Sequence, residues 1–412
     1  MKATTATAAN KLQDIPNIGP SIADDLRALG IERPSQLVGK DPYVLYRRIN
    51  TLTGVVQDPC LCDCFIAAVR FMEGAPATPW WHYTAERKRR LLPGQGAKRW
   101  MASARSFLLP ILASLVVQIP LAGAQQVSDD DFAPRHAVGA GNGDPPVLLF
   151  DQGHHNIHQI EGKGDALRRN TYQPFGRLAE AEGYRIRIGR GRLTTAALRG
   201  VRLLVIVNPA AVPDIKETTP AQMNAPAYSP AEVAAVRDFV SGGGSLFLVA
   251  DHYPFGGAAT PISASFGVLM GNGFADDPAL DDDATQALIF AGPSLGDHPI
   301  IQGGNVGERV RRVGTFTGQS LTVPAGASAL LVFGKDAYEE DAITKRRRPV
   351  AGRAQLVAMA FGRGRVVVAG EAAMFTSQLA GKERVRWGGL HEPRLDDEQL
   401  ARNILNWLRG GL

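Results

Sequence analysis

In the second half of the chain, polar residues with chemical potential stand directly after short apolar runs. Asp151, Gln152, His154, His155 and Asn156 follow the run 147–150, and Asn208 follows 203–207. Asp251 and His252 follow 246–250, and Glu371 comes just after 366–369. A carboxylate beside an imidazole is a general acid–base couple, so Asp251, Glu371 and His155 are the candidate catalytic groups. Asp151, Gln152, His154, Asn156, Asn208 and His252 are candidate ligand-binding groups, with the donors and acceptors that hold the hydroxyls of a small polar or sugar-derived molecule. The Asp, Glu and His members could instead supply nitrogen and oxygen ligands to a divalent metal that activates water. Their spacing matches no H-E-x-x-H signature, so the cofactor is open, as is a third reading in which these residues only fix loops.

The elements that must carry them follow from periodicity. Seven short runs rich in Val, Ile and Leu (147–150, 185–188, 203–207, 246–250, 330–333, 356–360 and 366–369) alternate with amphipathic stretches. One helix surrounds Leu178, and another opens at Ser229-Pro230-Ala231-Glu232, a capping box with proline in the first turn. The last carries Leu400, Ile404, Leu405 and Leu408. Near-continuous β-branched runs alternating with helices predict an α/β domain over 146–412 with a mostly parallel, doubly wound sheet. Such sheets bind ligands beyond the carboxyl ends of their strands, which is where the candidate residues fall. The acidic stretch 276–283 and the basic run 345–348 read as solvated loops.

These strand-end words, with Ser294-Leu295-Gly296-Asp297-His298-Pro299, resemble exported bacterial relatives of the class I glutamine-amidotransferase-like superfamily, which includes trehalose-utilisation-like proteins. The resemblance implies the fold over 146–412 and leaves the chemistry open. Amidotransferases of this class use a Cys nucleophile, and no cysteine follows Cys64. Glutamine hydrolysis by that route is therefore excluded. Ser245 precedes its strand and builds no G-x-S-x-G elbow.

The first half is different in kind. Leu12 and Ile15 share one face of a short helix, Asn17 to Pro20 form a tight turn, and Ile22, Leu26 and Leu29 have helical spacing before the capping Gly30. A glycine in such a turn lets backbone N–H groups at a helix start approach a phosphate. The stretch resembles a helix-hairpin-helix motif. With Asp41-Pro42-Tyr43, Gln57-Asp58-Pro59-Cys60, the helix 65–72 and Pro79-Trp80-Trp81, the segment 15–90 resembles the "pathogenicity locus" or mitomycin-resistance-like family. The resemblance implies a small all-α domain over 1–98, with nucleic acid as partner through Asn17, Gly19 and Ser21. Asn17 stands where the hairpin usually has its first glycine; Asn tolerates positive φ, but the phosphate contact is weakened as an expectation.

Between the halves, 99–126 has the layout of a secretory signal: Lys98, Arg99 and Arg105, an apolar run 107–121, then Ala122-Gly123-Ala124. The run falls short of the ~20 apolar residues of a spanning helix, yet uncleaved it could hold the chain to a membrane. The expectation is a cytoplasmic first domain, a linker over 127–145, and a second domain exported to the periplasm or beyond. Met101 stands where a signal peptide would start, which fits two neighbouring proteins joined in one reading frame; the alternative is an internal run in a chain that is soluble throughout. All three cysteines, Cys60, Cys62 and Cys64, precede this segment, so the second half has no disulfide framework. A net charge of +5 over 412 residues is modest, and clusters near the apolar run.

Overall fold

The computed structural model describes residues 2–53, 59–90, 126–135, 144–161, 170–213, 219–282, 287–316, 318–380 and 385–412. The signal-like segment up to residue 125, its apolar run, and the linker positions 136–143 lie outside these residues. Among the described residues no helix is long and apolar enough to cross a membrane. The chain divides into two compact units, with the described residues to 90 in the first and those from 126 in the second.

The first unit is helical, with α1 (Pro20–Ala28), α2 (Pro42–Thr53), α3 (Pro59–Met72) and α4 (Thr84–Arg90). Asn17 has φ 66°, Pro20 opens α1, and Gly30 turns the chain at φ 81°, so the hairpin has the local chemistry its sequence promised. Leu12 and Ile15 bracket a 3-10 turn (Leu12–Asp14), and pack with Ile18, Leu26, Leu37 and Phe65 in one core. Each such buried side chain contributes about 1.5–3 kcal/mol. Asp63, fully buried on α3, ties α4 down through Arg87 Nε at 2.8 Å and Thr84 Oγ1 at 2.9 Å. Cys62 and Cys64 are buried and Cys60 half-buried on α3.

The second unit begins with β1 (Gln126–Ser128), β2 (Val147–Asp151), α5 (Gln173–Ala181), β3 (Arg185–Gly189) and β4 (Leu203–Val207). Then come α6 (Pro220–Met223), α7 (Pro230–Ser241), β5 (Ser245–Val249) and α8 (Phe255–Ser265). The next elements are β6 (Phe274–Asp276), β7 (Asp281–Asp282), β8 (Ala287–Ala291), α9 (Pro299–Gln302) and β9 (Arg312–Thr315). They are followed by β10 (Ser328–Val332), β11 (Tyr338–Glu340), β12 (Arg347–Pro349), β13 (Ala354–Phe361) and β14 (Gly364–Ala369). Two short strands, β15 (Gln378–Ala380) and β16 (Val385–Trp387), precede the closing helix α10 (Asp397–Arg409).

The main sheet has seven strands in the order β10-β13-β14-β5-β4-β2-β3. From β14 to β3 every pairing is parallel. The strands β10 and β13 join antiparallel, so the sheet is mixed. The reason is local: β13 and β14 are separated only by Gly362 and Arg363, and a parallel crossover needs a dozen residues or more. Helices α5 and α10 pack one face, α7 and α8 the other, because β4 and β5 are buried on both sides.

Three segments differ from the sequence reading. Residues 126–128, assigned to the signal's end and the linker, form β1 and pair with β15. The following Asp129 is buried and meets Arg386 Nε at 3.1 Å. The basic run 345–348 is not all loop tip: Arg347 and Arg348 lie on β12, where Arg348 pairs at 3.0 Å with the buried Glu339. Asp277 is buried rather than solvated, and accepts the Gly334 N–H at 2.6 Å.

Candidate functional site

Strand order brings the carboxyl ends of β2, β4, β5 and β14 side by side, and with them Asp151, Asn208, Asp251 and Glu371. They sort into two clusters.

The first centres on His154, which is buried. Its Nδ1 lies 2.8 Å and 3.0 Å from the two Asp151 oxygens, and its Nε2 lies 2.9 Å from Glu232 Oε1. The Tyr228 hydroxyl donates to Asp151 Oδ2 at 2.7 Å, and the Tyr228 ring lies 4.2 Å from the imidazole. Burial opposes protonation of His154, but Asp151 and then Glu232 outweigh it and raise its pKa. Burial likewise opposes charge on Glu232, yet hydrogen bonds from Ser229, His154 and the Leu193 N–H hold it down at about 2. Both imidazole nitrogens are committed, so His154 pins the loop after β2 to the start of α7 instead of presenting a nitrogen to a ligand.

Gln152 and Asn156 are committed as well. Gln152 closes the loop by accepting the Ile160 N–H at 3.1 Å and donating to the Glu161 carbonyl at 3.1 Å. Asn156 donates to the Val207 carbonyl at 2.9 Å and accepts the His154 N–H at 3.1 Å. His155, half-buried, sits at φ 50°, a left-handed conformation forced by the tight loop.

The second cluster joins Asn208, Asp251 and Glu371. Asn208 Oδ1 accepts the Asp251 N–H at 2.8 Å, and its buried amide nitrogen has no partner among the described residues. Glu371 is fully buried, each oxygen accepting one N–H, from Ala373 and from Met374, at 2.7 Å. Burial, and secondly the nearby Asp251 charge, push the Glu371 carboxyl well above the usual range. Burial also raises Asp251, against the pull of His252 and Asn208.

His252 completes this cluster. Its Nδ1 lies 2.8 Å from the Tyr253 carbonyl, which can only accept, so Nδ1 carries the proton and Nε2 keeps a lone pair in the neutral ring. The half-buried ring is held by stacking on Phe274 at 4.5 Å. This fits an oriented base better than His155 or Glu371 does, the latter being sealed from solvent. Among the described residues no group of three or more His, Cys, Asp or Glu side chains could hold a metal ion.

Three contributors were missed from the sequence. Glu232 was legible only as a helix cap, and Tyr228 carried no signal. Gln355 is a fully buried amide with neither end partnered among the described residues; a Cβ on Gly318 would lie 2.4 Å from its nitrogen and 2.9 Å from the Glu371 Cβ. A polar residue heading the apolar run 356–360 was the available clue.

In the first unit, Gly19 caps α1 without a side-chain cap, and a Cβ there would meet nothing within 4 Å. Ser21 is exposed in the first turn. The Asn17 amide is used within the unit: it donates to the Thr78 carbonyl at 2.8 Å and accepts the Trp80 N–H at 3.3 Å. That link sets the half-exposed Trp80 and Trp81, packed edge to face at 5.5 Å, beside the hairpin turn.

Residues 5–89 match the family described as Cdd1, Pathogenicity locus. The mitomycin resistance protein McrB of Streptomyces lavendulae is 44% identical over 95 residues, which cover 23% of this chain and 90% of that protein. Among solved structures, the mmIFT52 N-terminal domain is 12% identical, with 64% of this chain and 97% of that one covered at a TM-score of 0.43. A ThuA-like protein from Bacteroides uniformis is 11% identical, with 66% and 95% covered at a TM-score of 0.35.

Proposed function

This chain belongs, through residues 5–89, to the pathogenicity-locus family, and from that premise we propose a two-part protein. The second unit is an amidotransferase-like domain without a cysteine nucleophile, which binds a small polar, sugar-derived ligand at the carboxyl ends of β4, β5 and β14. The observation that carries this reading is His252. Its Nε2 lone pair is oriented by the Tyr253 carbonyl and the Phe274 ring, next to Asp251, whose pKa is raised. An imidazole acceptor beside a carboxyl group suits a hydroxyl-rich ligand, and would move a proton at a hydroxyl if the bound molecule reacts. Asp251 and His252 contact the ligand, while Asp151, His154 and Glu232 hold the loop beside them.

The test is a thermal-stability screen of the full chain against monosaccharides, disaccharides and polyols, followed by calorimetry. Asp251→Asn and His252→Ala should each weaken a positive compound about tenfold or more, the loss of one or two hydrogen bonds to a charged or oriented partner. Unchanged affinity in both variants would end the reading.

A second reading concerns the first unit, where among the described residues a Cβ on Gly19, at the start of α1, would meet nothing within 4 Å. We propose that Gly19 and Ser21 meet a nucleic-acid backbone there, with Asn17 shaping the turn. Binding of the full chain to a labelled duplex should weaken steeply with salt; no binding at low salt would remove this reading. The name of the Streptomyces relative extends to a further test, survival of a host expressing this chain under mitomycin. Export of the second unit is part of the same proposal, checked by sequencing the N-terminus of the native product in cytoplasmic and exported fractions.

A further inference from the structure

The strand β3 closes one side of the main sheet, and among the described residues its one strand neighbour is β2. The Arg185 N–H reaches the Pro146 carbonyl and the Gly189 carbonyl accepts from Gln152, so residues 185, 187 and 189 turn their backbone toward β2. Ile186 and Ile188 therefore turn their N–H and C=O groups to the open side, where no partner meets them among the described residues. Their side chains pack against the core under α5, which fixes the strand in place.

The side chains along this edge are of one sign. Arg185, Arg187, Arg190 and Arg192 are all exposed within eight positions. Arg187 donates to the Ala197 carbonyl, and Arg190 meets Glu161 at 3.0 Å in an exposed pair that solvent leaves weak. An unpaired edge is a template for another strand, and charge decides which strand it accepts. A second copy of β3 would set arginine against arginine, which is destabilising for directly opposed residues. A strand with Asp or Glu at alternate positions would place carboxylates against Arg185 and Arg187 while its backbone met Ile186 and Ile188.

We propose that the β3 edge is a docking site for an acidic extended segment of another protein, which adds to the sheet as an eighth strand. Free backbone groups at strand spacing favour a peptide over a nucleic acid, whose backbone cannot complete a ladder.

The experiment uses the full chain and a short labelled peptide alternating Glu and Val, read by fluorescence anisotropy at low and physiological salt. Saturable binding that weakens with salt is expected, and the Lys–Val counterpart should not bind. Reversing Arg185→Glu together with Arg187→Glu should weaken binding about tenfold or more. Alternate backbone N-methylation of the peptide, on the amides facing β3, should weaken it by about fivefold or more, since each ladder bond is worth about 1 kcal/mol. Ile188→Pro removes an outward N–H and should act in the same direction; the methylated peptide gives the same information without altering the protein. If an oligothymidylate binds as tightly and N-methylation changes nothing, the edge is a general polyanion surface and the proposal is overturned. Absence of binding by the Glu–Val peptide at low salt overturns it equally.

Discussion

His154 Nε2 lies 2.9 Å from Glu232 Oε1, across 78 residues of chain, while the other imidazole nitrogen is held by Asp151. One buried ring thus joins the end of β2 to the start of α7. The same Glu232 caps α7 by accepting the Ser229 N–H and hydroxyl.

Removing His154 leaves two buried carboxylates without their shared partner, and removing Glu232 leaves the buried imidazole with one nitrogen unpaired. Glu232→Ala and His154→Ala should each cost about 3–5 kcal/mol in urea unfolding. The pH dependence has a definite sign. His154 is raised above its ordinary 6.5, so its stabilisation is complete below about pH 6.5 and fades as pH rises through the raised value. Glu232 is depressed from 4.5 to about 2, so its share is complete above about pH 4.5 and is lost as pH falls through 2. The bridge is strongest between pH 4.5 and 6.5, and in His154→Ala the gain in melting temperature over that window should shrink.

Asp251 and Glu371 act in one direction. Both are raised by burial, so the stability they contribute is present at acid pH and is lost as pH rises through their folded values. Asp251→Asn removes the charge that repels Glu371. Between pH 5 and 9 its melting temperature should fall less than that of the wild type. An unchanged slope would mean that neither the titration of Asp251 nor its repulsion of Glu371 bears on stability.

In the first unit, Asp63 is buried on α3 with Arg87 and Thr84 as partners. Asp63→Ala leaves the Arg87 guanidinium without its carboxylate, and should destabilise the unit by about 3–5 kcal/mol. Hydrogen exchange of α4 amides should rise in this variant, because α4 loses its buried tie to α3 and keeps exposed ones such as Arg70 to Glu86.

Asn17 separates backbone from side-chain effects. Asn17→Gly keeps access to φ 66° but loses the bonds to Thr78 and Trp80. Asn17→Ala loses those bonds and must also hold an alanine in the left-handed region, about 1 kcal/mol further. The expected stability order is wild type, Gly variant, Ala variant, with a shift in tryptophan emission in both variants as Trp80 loosens.

Much of the architecture was legible along the chain because its causes are local. The runs 203–207 and 147–150 are strands because short unbroken apolar runs with β-branched or aromatic members fit an extended, doubly buried backbone. Ser229 and Pro230 start α7, and the turn at Asn17 and Gly30 needs only residues that tolerate positive φ. Pairing direction was less legible: β13 reads like the parallel strands, and only the two-residue link at Gly362 marks it as reversed. Residues 126–128 carry too little pattern to reveal a strand whose partner lies some 250 positions later.

For the candidate site, sequence identified which residues gather at the strand ends, since topology carries every parallel strand's carboxyl end to one side. It did not determine what each does there. Gln152, His154 and Asn156 have the same chemical groups whether they face a ligand or a neighbouring loop, and it is Ile160, Glu232 and Val207 that occupy them. His252 gains its oriented lone pair from Tyr253 and Phe274. Side-chain type is local, but the partner that consumes or frees a donor comes from distant segments brought into contact, so only the tertiary structure decides between a ligand group and a structural pin.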